Sequence, residues 1–228
     1  MPSYLGNYIL HKTIARGNLQ NCKIKQAQEI GTERYSAMKV IKMAGDDIQN
    51  APILQKILLE WESLTKLEHQ NIIKVYNITL GTQVLKDNGQ QYTACCLETE
   101  LAWRDLYYVQ QKHVFNEPVA LLFFRQLIAG LEYIHSKGIT HRHLTPEHVL
   151  FDENFTLKLC GFGMAWSVKG KDQSGIFKTK LRMSHSSAPE TLEGNGYMGE
   201  PADVFSAGVI LFYMVSGFLP FVTGNKSC

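Results

Sequence analysis

At 228 residues the chain can bury one large core or two small ones, and with 45% hydrophobic and 19% charged residues it is composed like an ordinary globular protein. A net charge of +2 supplies no field that would hold nucleic acid or an anionic lipid surface, so neither nucleic acid nor membrane is expected as a partner. The opening Met1-Pro-Ser-Tyr-Leu-Gly-Asn-Tyr8 has no basic stretch leading into an apolar one, which argues against a signal peptide. The five cysteines (Cys22, Cys95, Cys96, Cys160, Cys228) fall mostly in apolar strand patterns, as expected of reduced thiols in a cytoplasmic or nuclear protein.

Residues 8 to 42 alternate apolar and polar positions between turn signals, which predicts three antiparallel strands. The third, Tyr35 to Lys42, carries Lys39 two residues after Ala37 in an otherwise apolar run, so its ammonium needs a partner. An amphipathic helix is predicted over Ile53 to Leu67 with Pro52 in its first turn; it carries Glu60, the candidate partner, and Glu62, which points to another face and to water. Two more strands are expected between residues 72 and 98, joined by a turn at Asp87-Asn-Gly89. Asn116-Glu-Pro118 is a helix start, and the helix it opens, Val119 to Lys137, is apolar all round, reads as a buried spine and stops at Gly138. The most apolar run, Ala207 to Val222, contains Ser216, Gly217 and Pro220 and is short for a membrane span, so a buried helix is expected.

Residues 138 to 163 read Gly-Ile-Thr-His-Arg-His-Leu-Thr-Pro-Glu-His-Val-Leu-Phe-Asp-Glu-Asn-Phe-Thr-Leu-Lys-Leu-Cys-Gly-Phe-Gly. This resembles the catalytic and metal-binding loops of a protein kinase, H-R-D-L-x-x-x-N followed by D-F-G. His141, Arg142, Leu144, Phe162 and Gly163 keep the frame. His143, His148 and Gly161 stand where the family has its catalytic Asp, its metal-holding Asn and its metal-binding Asp. Other landmarks occur in the right order: Tyr35-Ser-Ala-Met-Lys-Val-Ile-Lys42 resembles V-A-I-K, Leu67-Glu-His-Gln-Asn-Ile72 the L-x-H-x-N-I after helix αC, and Ala188-Pro-Glu190 the A-P-E motif. Asp203-Val-Phe-Ser-Ala-Gly-Val-Ile-Leu-Phe-Tyr-Met-Val-Ser-Gly-Phe-Leu-Pro-Phe221 is closely similar to kinase helix αF. The chain thus resembles a eukaryotic-type protein kinase domain of the calcium/calmodulin- and AMP-activated-like serine/threonine group, in a degenerate, pseudokinase-like and C-terminally truncated form.

The resemblance implies an α+β, bilobal fold: an N-lobe over residues 1–98, with a small antiparallel sheet and one main helix, and a mostly helical C-lobe over 99–228 that ends after helix αF. The hinge falls near 97–101 and the activation segment at 161–190. Nucleotide would be held by Ile14, Gly17, Cys22, Ala37, Lys39, Leu97, Glu98 and Leu150, with Ile210 and Met214 below the adenine and Lys39 paired to Glu60. The hinge register has a second solution, Thr99 and Glu100 in place of Leu97 and Glu98. Only Gly17 survives from the glycine-rich loop; Ala15 and Gln20 replace the outer glycines, and Cys22 a valine. Thr179 falls on the activation-loop phosphorylation position, where Arg142 could pair with a phosphate; equally, Thr179 is a solvated residue of a loop. Arg182-Met-Ser-His-Ser-Ser187 departs from the family at the substrate-docking end.

Mg²⁺ wants hard oxygen ligands, which Gly161 and His148 do not supply, so weak ATP binding without Mg²⁺ is the expectation. His143 could accept a proton, but without a metal it would catalyse little. The three histidines 141, 143 and 148 are not expected to form a zinc site, because His141 belongs to the core in the family. By contrast the stack that couples kinase lobes, here Leu64, Val75, His141, Phe162 and Asp203, is intact. The reading is a catalytically impaired kinase-like domain that binds a protein partner, possessing an open face on helix 203–221; a residual ATP-dependent serine/threonine kinase and a non-functional truncated relative are the alternatives.

Overall fold

The computed structural model describes residues 2–17, 21–43, 47–170, 172–178, 181 and 184–221. They form two compact units, one of residues 1–61 and 74–101, the other of residues 62–73 and 102–228. The division thus falls after Leu101 where the sequence reading had 98, and the segment after the first long helix clusters with the second unit.

In the first unit strands β1 (Ser3–Leu5), β2 (Tyr8–Arg16), β3 (Cys22–Glu29), β4 (Tyr35–Lys42), β5 (Val75–Lys86) and β6 (Gln91–Thr99) close into an antiparallel barrel of order β1-β2-β3-β4-β6-β5. The sequence reading had a small antiparallel sheet whose first strand began at residue 8, without β1 and without closure. Its edges vanish because Ser3 and Tyr4 of β1 pair with Lys86 and Leu85 of β5, a contact too short to leave a periodic signal. Alternation along the strands sorts side chains between two cores. Met38 and Val40 of β4 join Ala94 and Cys96 of β6 and Leu10, Ala27 and Val84 in one cluster. Ile41 joins Cys22, Cys95 and Leu97 in the other, and Ile57 of helix α1 (Asp47–Leu64) packs there. Helix α1 begins ahead of the expected start, so Pro52 lies inside it rather than in its first turn, and it ends at Leu64 rather than Leu67. The β5–β6 turn is built as expected: Gly89, at φ +78°, donates its N–H to the Lys86 carbonyl.

In the second unit helix α3 (Glu117–Ser136) starts under an Asn116 cap that accepts the Val119 N–H at 3.1 Å. It is not buried all round, as its composition suggested: Ala120, Phe123, Leu127, Leu131 and Ile134 face the core, whereas Leu121, Leu122 and Ile128 are exposed. Helix α5 (Gly199–Ser216) packs on it. It starts before Asp203 and stops at Ser216 instead of running to 221 or 222, because Gly217 takes up a left-handed φ of +78°. Helices α2 (Leu106–Gln110) and α4 (Glu190–Glu193) are short. Three small strand pairings set the site: β7 (Arg104–Asp105) and β10 (Leu157–Leu159) flank β9 (Val149–Phe151), and β8 (Ile139–Thr140) pairs with β11 (Trp166–Ser167). Together they fix the ends of loops 141–148 and 160–165. Among the described residues no helix is long and apolar enough to cross a membrane.

Cys22, Cys95 and Cys96 are buried free thiols, and burial pushes Cys96 up to about 12. A thiol that stays protonated is inert to disulfide reagents. Native protein treated with such a reagent at pH 8 is expected to leave Cys96 unlabelled by mass spectrometry, with labelling appearing only in denaturant.

Candidate functional site

Strand β4 carries the candidate residues of the first unit. Its register puts Lys39 opposite Leu97 of β6 and opposite Ile24 of β3, and Ala37 opposite Thr99 and Gln26. The structure brings Lys39 to Glu60 of α1, Nζ to Oε2 at 2.5 Å, with the carboxylate buried. A buried carboxylate needs such a cation, since unpaired it would be strongly destabilising. Glu62, one step further round the helix, is exposed as expected. Leu97 and Thr99 both share the face of Lys39, so both hinge registers keep a side chain on that face. Glu98 projects from the opposite face into a network of its own: Arg34 Nη2 donates to it at 2.7 Å and Tyr8 Oη at 2.9 Å. Burial, then this bond to Glu98, pushes the Tyr8 phenol up. Glu100 instead accepts the Lys74 N–H at 2.7 Å.

Ile14 lies within β2 and Gly17 directly follows the strand; Gln20 falls outside the described residues. The Gly17 N–H donates to the Cys22 carbonyl at 3.1 Å, and the Cys22 side chain occupies the space that a β-carbon on residue 17 would fill. Any other residue there would displace Cys22. Burial pushes the Cys22 thiol up, with nearby Lys39 pulling it down and Glu60 pushing it up.

In the second unit the candidate residues are organised by Asp203 on α5, which is almost wholly buried. Its Oδ2 accepts the His141 N–H at 2.8 Å and faces His135 Nε2 at 2.9 Å, and its Oδ1 accepts the Arg142 N–H at 2.7 Å. Arg142 itself has φ +64°, a conformation these bonds hold in place. His141 packs edge-on against Phe162, centroids 4.8 Å apart. Its Nδ1 accepts the His143 N–H at 3.3 Å, so Nε2 carries the proton and donates to the Cys160 carbonyl at 2.9 Å. His141 is thereby a neutral strut of the loop.

His148 closes the short turn Pro146–His148 and donates from Nδ1 to the His143 carbonyl at 2.7 Å. Its other edge faces Gly161. A β-carbon on residue 161 would fall 2.6 Å from His148 Nε2, closer than such atoms approach, and Gly161 also holds a left-handed φ of +84°. The two substitutions fit each other: the imidazole fills the space that a side chain at 161 would need. His143 lies edge-on to His148, centroids 5.0 Å apart, and borders a water-sized cleft with Leu181, Ser184, Ser187 and Ser206. Leu150 is half-buried in β9, opposite Lys158 and Asp105. The side chains at 148 and 161 carry no carboxylate or amide oxygen, and among the described residues no three His, Cys, Asp or Glu side chains cluster as metal ligands. Mg²⁺ favours hard oxygen ligands, and the side chains at 148 and 161 offer none.

Thr179 lies outside the described residues. The Arg142 guanidinium is engaged within the unit: Nε and Nη2 donate to Tyr197 Oη at 3.1 and 3.0 Å, and it stacks on the Phe177 ring at 4.2 Å. Tyr197, Phe177 and His135 were not singled out from the sequence, since nothing in their spacing announces contacts across 55, 35 or 68 positions.

The sequence matches the family described as protein kinase domain over residues 8–228. It is similar to CBL-interacting protein kinase 26 of Oryza sativa subsp. japonica, 32% identical over 97% of this chain and 42% of the relative. It is also similar to maternal embryonic leucine zipper kinase of Danio rerio, 33% identical over 97% of this chain and 30% of the relative. A third relative is the carbon catabolite-derepressing protein kinase of Candida tropicalis, 33% identical over 95% of this chain and 32% of that one. The chain therefore spans well under half the length of these relatives.

Because the His148 ring and residue 161 share one space, substitutions there are expected to be non-additive. Gly161→Asp alone should destabilise by about 2–4 kcal/mol, from overpacking and the left-handed backbone together. Adding His148→Asn should recover at least about 1 kcal/mol, because the smaller side chain makes room. Urea unfolding of the two single variants and the pair measures the coupling.

Proposed function

The chain belongs to the protein kinase domain family, and on that premise we propose that it is a catalytically silent member, one that binds nucleotide weakly, without Mg²⁺, and acts by presenting its surface to a protein partner. Kinases of this family ordinarily bind ATP with Mg²⁺, and phosphoryl transfer relies on that charge and on an aspartate that accepts the substrate proton. The observation that carries the proposal is the mutual fit of His148 and Gly161: the position of one metal ligand is bare, and the side chain from the position of the other lies across it. His143 stands at the base position, its backbone tied into the same turn. The Lys39–Glu60 pair supports retention of a phosphate-facing cation. Exposed Val204, Phe212 and Val215 on α5, followed by exposed Phe218, support a protein as the partner, covering this apolar face.

A thermal-shift titration tests the nucleotide half of this reading. ATP is expected to raise the midpoint slightly and equally with and without Mg²⁺ or Mn²⁺, and Lys39→Ala to abolish the rise. Phosphate transfer from ATP to a generic protein substrate should be undetectable; Mg²⁺-dependent transfer that vanishes in Lys39→Ala would overturn the proposal.

The formed Lys39–Glu60 pair also favours a second reading, a residual serine/threonine kinase with His143 as base. That reading predicts a measurable rate in the unaltered chain, rising in the combined His143→Asp, His148→Asn, Gly161→Asp variant. No rate before or after the change rejects it. A non-functional fragment, the third reading, would not unfold cooperatively in a thermal scan.

A further inference from the structure

We propose that the segment between Gly161 and α5 is anchored to the loop at Arg142 by two aromatic side chains, Phe177 and Tyr197, and needs no phosphate to hold it. This inference does not depend on whether the protein transfers phosphate.

Arg142 is buried, and a buried guanidinium without partners is strongly destabilising. All of its partners given by the structure come from that one segment. Nε and Nη2 converge on the Tyr197 hydroxyl at 3.1 and 3.0 Å, and Nη1 reaches the Met164 carbonyl at 3.5 Å. The flat face of the cation lies 4.2 Å from the Phe177 centroid and 5.9 Å from that of Tyr197, the range in which a ring quadrupole attracts it. The two rings lie 5.5 Å apart. Their backbones are joined by a pair of hydrogen bonds, Phe177 N–H to the Tyr197 carbonyl at 2.8 Å and the reverse at 3.0 Å. Both aromatic residues are about 5% exposed or less.

The guanidinium is thus met by a neutral hydroxyl, a backbone carbonyl and two aromatic faces. Tyr197 remains a neutral acceptor, since burial pushes its phenol up despite the opposing pull of Arg142.

Amide hydrogen exchange on the full chain tests this, using protein treated with phosphatase and shown phosphate-free by intact mass. The amides of Phe177 and Tyr197 are expected to be protected in that state, to the same extent as in untreated protein. Tyr197→Phe keeps the ring and removes the acceptor, and should speed exchange at both amides by about tenfold. Phe177→Leu keeps an apolar side chain, removes the ring, and should do the same. Exchange at free-peptide rates in the phosphate-free protein would overturn the proposal. So would unchanged exchange in both variants, which would mean that the bridge stands without the clamp.

Discussion

The Asp203 carboxylate is the point from which the second unit's loops are hung. It takes two backbone N–H groups, from His141 and Arg142, and faces the His135 imidazole. Each is a hydrogen bond to a buried charge, stronger than one between neutral groups and expensive to leave unmade. From that anchor the rest follows locally. His141 is turned so that its ring braces Cys160, Arg142 is held at positive φ with its side chain among Phe177 and Tyr197, and His143 is delivered to the loop tip. Helix α5 can supply this anchor because the helix is itself held by packing on α3.

The anchor is indifferent to the chemistry beside it. A loop held by its backbone leaves its side chains free to vary, and this loop carries half-buried His143 and His148. The change at 148 is not independent of the change at 161. A ring as large as imidazole can lie there only if residue 161 has no β-carbon. The first unit shows the same kind of adjustment, where Gly17 yields its space to Cys22. In both places a loss that looks isolated in one dimension is a packing contact in three.

Much of the frame was legible because it rests on local patterns. The strands 8–16, 22–29 and 35–42, the Asn116 cap and the turn at Gly89 each carry their signal within a few residues. Motif order named the family and pointed to Lys39 with Glu60, which the fold brings into contact. What failed were features decided by distant partners. Barrel closure needs β1 to meet β5 some eighty residues away, and α3 reads as apolar all round although one of its faces is exposed. Pro52 looked like a helix start because proline is favoured there, yet the helix extends ahead of it.

The sequence by itself determined the identity of the elements, the family frame and the three positions where the family's acidic and amide groups are absent, since residue type and spacing are properties of the chain alone. Only the tertiary structure decided that two of those positions are coupled, because the His148 ring fills the volume that a side chain at 161 would need. It alone decided, too, that Arg142 already has partners in Tyr197 and Phe177. Volume and hydrogen-bond partners are set by what lies across the fold, and no spacing along the chain encodes them.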